Sequence, residues 1–186
     1  MNILRLIDIF LSLLGLICAF PALLILLVFG IFDSGAPIFR QRRVGQNQRP
    51  FMLIKFRTMR KGTASVPSHL VNPNATSGFG RFLRRTKLDE LPQLWNVLKG
   101  EMSLVGPRPG LPNHEALTNA RAKLNVYSVK PGITGLSQIM GIDMSTPELL
   151  AKTDAQLIAE MSVKNYFRIV YLTVIGNGRG DRIKQT

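Results

Sequence analysis

The sequence predicts a mixed α/β domain carried on a membrane by one apolar N-terminal segment. Three features point there. Residues 9–32 contain no charged side chain. Residues 37–59 place two strand-forming stretches around a polar turn. Further along, short segments carry helix starts and stops at helical spacing. The chain therefore divides into a membrane element over residues 1–36 and a folded domain over 37–186.

The apolar run, IFLSLLGLICAFPALLILLVFGIF, would be about 36 Å long as a straight helix, enough to cross a ~30 Å hydrocarbon core. No small-x-small cleavage site follows it, so a cleaved signal peptide fits poorly. Pro21 stands in its middle and should kink or break the helix. Two readings follow. A kinked single span is slightly favoured by hydropathy alone, and a re-entrant hairpin that enters and leaves on one face also fits the length of each half. In both, Arg40, Arg42, Arg43 and Arg49 place the rest of the chain on the cytoplasmic side.

PIFRQRRVG and PFMLIKFRTM read as a hairpin joined at Gln46-Asn47-Gln48-Arg49. Residues 61–77, rich in Pro, Ser, Asn and Thr, read as a loop. GRFLRR (80–85) reads as a short amphipathic helix at the headgroup level. A helix is expected over about 88–99, with Thr86 and Asp89 as a capping box, Pro92 in the first turn and Gly100 at the end. MSLV (102–105) is a strand candidate, and VKPGITG (129–135) reads as a loop. Pro147 opens a helix that runs to about Met161, and NYFRIVYLTVIG (165–176) forms another, packed on the core or lying in the interface. The tail from Gly176 reads as loose.

The chain carries 24 Lys and Arg against 11 Asp and Glu, a net charge of +13, and most of the excess falls in residues 33–110. Such a field attracts phosphates, acidic headgroups or nucleic acid, although basic residues beside a membrane segment also serve topology alone. The one cysteine, Cys18, lies in the apolar run, so there is no intrachain disulfide and no Cys metal site. His69 and His114 lack ligand spacing and read as surface residues.

Within the basic region stands Asp89-Glu90. Acidic residues in a first helical turn commonly serve only as caps. Here Arg81, Arg84, Arg85 and Lys87 lie just upstream, so two carboxylates sit in a positive field. An ionised aspartate can attack phosphorus, and a neighbouring carboxylate, pointing about 100° away on a helix, can hold Mg²⁺ whose other ligands are phosphate oxygens. Arg108, stiffened between Pro107 and Pro109, suits bidentate phosphate binding, or else is a surface arginine in a rigid turn. Lys55 and Arg57 share one strand face that binds phosphates or is merely solvated. No GxGxxG, Walker loop, GxSxG or His/Cys cluster competes with this chemistry.

RRTKLDELPQLWNVLKGEMSLVGPRP (84–109), with PIFRQRRVG…KFRTM (37–59) before it and KPGITGLSQIMG (130–141) after it, resembles the monotopic phosphoglycosyl transferases, also called bacterial sugar transferases. The likeness spans residues 1 to about 141. It implies a small mixed α/β catalytic domain partly sunk in the cytoplasmic leaflet of the bacterial inner membrane. That domain is held by a re-entrant helix broken at Pro21 and by amphipathic interfacial helices. It implies transfer of a sugar-1-phosphate from a UDP-sugar to polyprenyl (undecaprenyl) phosphate, with release of UMP. Asp89 is then the nucleophile that carries the phosphosugar, and Glu90 holds Mg²⁺. Arg108 and Arg84 bind phosphate, and Lys55 and Arg57 form a basic strand near the site. The product would initiate a surface glycan such as O-antigen, capsule, exopolysaccharide or a glycoprotein glycan.

Three positions depart from the usual pattern: Phe20 before the proline, Lys87 before LDEL, and Glu101 after KG. None removes a catalytic group. Beyond about residue 145 the likeness weakens, and STPELLAKTDAQ…VKNYF resembles a subgroup loosely associated with N-acetylated 6-deoxy sugars. The chain has the look of the minimal catalytic unit. The competing reading is a non-catalytic, membrane-anchored basic module for acidic lipid or nucleic acid. The Asp-Glu pair inside the basic region fits it badly, and nucleic-acid binding would show aromatics interleaved with the basic stripe.

Overall fold

A computed structural model describes residues 3–63 and 75–176. Helix α1 (Ile3–Ser34) comes first. It is followed by an antiparallel hairpin of β1 (Ile38–Val44) and β2 (Pro50–Phe56). Then come α2 (Gly78–Thr86), a single 3-10 turn at Leu88–Glu90 and α3 (Gln93–Lys99). A second two-stranded sheet pairs β3 (Ser103–Val105) in parallel with β4 (Gly132–Thr134), and α4 (Glu115–Lys123) lies on the crossover between them. Helices α5 (Leu136–Ile139), α6 (Pro147–Ala159) and α7 (Val163–Val174) complete the domain.

Pro21 lies inside α1, and the backbone is helical on both sides of it, so the two halves form one helix rather than two helices joined by a loop. The most apolar stretch of α1 is only 11% buried against protein. Phe10, Ile17, Phe20, Phe29 and Phe32 all stand exposed. A helix so apolar and so bare suits lipid, not water.

Both ends of α1 nevertheless grip the domain. Near its start, Asp8 is buried and its Oδ1 accepts from Ser103 Oγ (2.9 Å), Leu104 N (2.9 Å) and Tyr166 Oη (2.7 Å). Burial, with Asp8 beside it, pushes the Tyr166 phenol well above its usual range. Arg5 donates to the carbonyls of Val97 (2.6 Å) and Leu98 (3.0 Å), capping the C-terminal end of α3. Near its other end, Leu26 packs with Phe56 and Leu83, and Gly30 lies against Pro37 and Phe79.

The hairpin forms where expected, with Val44 opposite Pro50 and Phe39 opposite Lys55. Its turn uses positive φ at Asn47 and Gln48. Four expectations need correction. The helix over 88–99 is two pieces, because Lys87 takes a left-handed φ of 59° and ends α2 before the 3-10 turn begins. Thr86 is no capping-box residue: its hydroxyl donates back to Phe82 O (2.9 Å) and Leu83 O (3.1 Å) at the end of α2. The segment read as a loop at 129–135 contains β4. His114 is half-buried at the start of α4 rather than on the surface, and His69 lies outside the described residues. Most of the 61–77 loop and the tail after Gly176 also lie outside them.

Candidate active site

Local structure delivers the Asp89-Glu90 pair. Helix α2 stops at Lys87, and the chain turns once through Leu88–Glu90 before Pro92 opens α3. A pair on a long helix would sit on its surface. On this 3-10 turn between two short helices Asp89 is driven inward, to 6% exposure. Burial and the adjacent Glu90 charge push the Asp89 carboxyl up to about 6. The charges of Lys55, Arg84 and Arg108 pull against that rise.

Those cations arrive from three directions. Lys55 comes from β2, where the pleat puts it beside the Phe39 ring, 5.7 Å from its centroid. Arg84 comes from the last turn of α2. Its Nε donates to Thr58 Oγ1 at 2.8 Å, while its Nη1 is buried with no hydrogen-bond partner among the described residues. A buried, unsatisfied guanidinium N–H is costly and marks a place for an anionic oxygen. Arg108 comes from the turn after β3, and its Nη2 donates to Glu90 Oε1 at 3.0 Å. Arg57 turns elsewhere: its Nε donates to Ala36 O (2.8 Å), and its guanidinium covers Phe39 at 5.3 Å.

Lys87, part of the basic run just upstream of the pair and a departure from the family pattern, belongs to this cluster. Burial lowers its ammonium pKa, with Glu90 raising it and Arg108 lowering it. Asn96 also escaped the sequence reading. Fully buried on α3, it donates to Met52 O (2.8 Å) and accepts from Ile54 N (3.1 Å), so it sutures α3 to the strand carrying Lys55. An Asn two turns after an acidic pair gives no sequence signal of such a bond.

The seat of Arg84 is narrow. Gly80 on α2 touches the Thr58 backbone so closely that an added methyl would collide with it. Gly80→Ala should therefore lower stability by roughly 2 kcal/mol or more and displace Arg84 from Thr58. Thermal unfolding of the lipid-reconstituted variant checks this, and an unchanged midpoint would refute it.

Asp89 and Glu90 offer oxygen donors only. Among the described residues no group of three His, Cys, Asp or Glu gathers that could hold a metal by itself. Two hard oxygen donors suit a Mg²⁺ that completes its shell with phosphate oxygens and water.

A buried carboxylate beside a half-buried one, ringed by cations and close to a long bare apolar helix, defines an anion-handling site next to a segment suited to lipid. The sequence model of the bacterial sugar transferases matches residues 1–178, and the chain belongs to that family. It is 40% identical over 186 residues to the galactosyl transferase CpsE of Streptococcus agalactiae, covering 91% of this chain and 41% of that protein. It is 39% identical over 182 residues to a UDP-glucose:undecaprenyl-phosphate glucose-1-phosphate transferase of Xanthomonas campestris, covering 90% and 37%. It is 37% identical over 184 residues to the uncharacterized sugar transferase EpsL of Bacillus subtilis, covering 98% and 90%. The chain thus spans about two fifths of the first two relatives and nearly all of the third.

Proposed function

We propose that this chain transfers a sugar-1-phosphate from a UDP-sugar to undecaprenyl phosphate at the cytoplasmic face of the bacterial inner membrane, initiating a surface glycan. The observation that carries the reading is Asp89: a buried carboxylate beside a second one, facing Lys55, Arg84 and Arg108. The relatives' printed activities supply the substrate class.

The geometry supports a two-step displacement. An Asp89 oxygen attacks the phosphorus bonded to the sugar. The bridging P–O bond to the uridine phosphate breaks, and UMP leaves with the electron pair. An oxygen of the polyprenyl phosphate then attacks the same phosphorus, the acyl phosphate P–O bond breaks, and Asp89 returns as a carboxylate. Arg84, through its unpaired Nη1, and Arg108 neutralise charge on the transferring phosphoryl group. Glu90 would hold Mg²⁺, which supplies further charge neutralisation on the diphosphate. To do so it must exchange part of its pairing with Arg108.

The contacts of α1 bear on the membrane course. A spanning helix puts its ends on opposite sides of the bilayer. Here Arg5 and Asp8 at one end and Leu26 and Gly30 at the other hold the same small domain. That supports a re-entrant course, with both ends of α1 on the face that carries the domain.

Purified protein in nanodiscs, given a panel of UDP-sugars, Mg²⁺ and undecaprenyl phosphate, should release UMP from one or a few donors. Silence across the panel from folded, lipid-bound protein would overturn the reading in favour of a non-catalytic membrane module.

A further inference from the structure

Resting on the transfer reading for its catalytic meaning, we infer that Arg43 and Arg121 are positioning residues that act through Arg108. Four consecutive carbonyls of the turn are each held by a separate donor. Pro107 O accepts from Gly132 N (2.9 Å) and Gly110 O from Val44 N (3.0 Å), both ordinary backbone bonds. The two between them, in the peptide planes before and after Pro109, are held by guanidinium groups. Arg108 O accepts from Arg121 Nη1 at 2.8 Å, and Pro109 O from Arg43 Nη1 at 3.0 Å.

Proline explains the need. Pro107 and Pro109 have no N–H, so this turn is anchored mainly through its carbonyls. Arg121 itself is 2% exposed, a position that costs heavily unless the charge is paired. Asp154 on α6, fully buried, pairs with it at 2.6 and 2.9 Å, and Ser137 Oγ donates to the other Asp154 oxygen at 3.2 Å. Burial pushes the Asp154 carboxyl up, and Arg121 pulls it back. The chain of contacts runs from α5 and α6 through α4 to the backbone of Arg108. On the other side, Gln41 Oε1 receives Arg43 Nε and Nη2 at 3.1 and 2.7 Å, which orients Arg43 Nη1 towards Pro109 O. The clamp fixes the peptide planes on both sides of Pro109, and Gly132 N fixes the plane before Arg108, so the backbone that carries the guanidinium towards Glu90 is held throughout.

The test is a double-mutant cycle. Arg43→Met, Arg108→Gln and the double variant are compared with wild type for UMP release in nanodiscs. Arg43→Met should lower kcat by roughly tenfold or more with the donor KM little changed, since small misplacements of a charge-stabilising group cost rate. Arg43→Lys, which keeps one donor, should recover part of it. In the Arg108→Gln background Arg43→Met should cost nothing further, because its effect passes through Arg108. The paired change Arg121→Met with Asp154→Leu, which leaves no buried charge alone, should show the same loss and the same non-additivity. Hydrogen exchange over residues 104–111 should quicken in Arg43→Met with the rest unchanged. Independent, additive losses, or wild-type rates in Arg43→Met, would overturn the clamp and leave the transfer reading standing. A silent wild type would overturn that reading, and with it any catalytic role for the clamp.

Discussion

Asp89→Asn should lose UMP release by roughly a thousandfold or more and yet unfold at a higher temperature than wild type. The first half follows from the amide, which cannot form the acyl phosphate. Wild type incubated with donor and no acceptor should gain one sugar-phosphate mass, and the variant should not. The second half follows from linkage. The folded-state carboxyl is raised from its usual 3.8 to about 6. A raised carboxyl binds its proton more tightly in the folded state. Its stabilising effect is therefore full below the usual carboxylate range and is lost as pH rises through about 6. At neutral pH the folded protein carries an ionised, buried group at a cost of roughly 2–3 kcal/mol. Asparagine removes that cost, so the unfolding midpoint should rise by several degrees. Retained UMP release would remove Asp89 as nucleophile. A lowered midpoint in a folded variant would show that the carboxylate is stabilised where it sits.

The site was legible in the sequence where its signals are local, and hidden where they are not. The uncharged run before Asp33, the hairpin around Gln46–Arg49, the stop at Gly100 and the acidic pair inside basic residues all announce themselves within a few positions. The stop at Lys87 does not: a lysine in the left-handed region is chosen by the packing of α2 on Thr58 and of Leu88 on Phe56 and Leu83, not by propensity. β4 was missed because a three-residue parallel strand has no hairpin partner beside it, and its mate β3 lies across a long crossover. The Arg121–Asp154 pair joins residues 33 positions apart on different helices. Asp8, one position before the uncharged run, gives no local sign that it ties α1 to β3 and α7. The expected strand pair of Lys55 and Arg57 divides its work: Lys55 acts on Asp89, and Arg57 holds Ala36.

Neutralising Arg108 and neutralising Glu90 should move the pH dependence in opposite directions, which no general loss of folding can imitate. Arg108→Gln should cut turnover by roughly a hundredfold or more, because a fixed charge on the transferring group is lost. For the donor, kcat/KM reports ionisation in the free enzyme, and the diphosphate of a UDP-sugar does not titrate in this range. Attack needs Asp89 ionised, so the wild-type profile should rise with pH through about 6 to a plateau. Arg108 is one of the cations that favour the carboxylate, and it also offsets Glu90 at 3.0 Å. Removing it disfavours ionisation twice over, so the acid limb of Arg108→Gln should shift to higher pH. Glu90 is the charged neighbour that raises Asp89 most after burial itself. Removing its charge favours ionisation, so the acid limb of Glu90→Gln should shift to lower pH, even as its rate falls through weaker Mg²⁺ binding. Limbs that move together, or not at all, would mean that the titration seen belongs to a group other than Asp89.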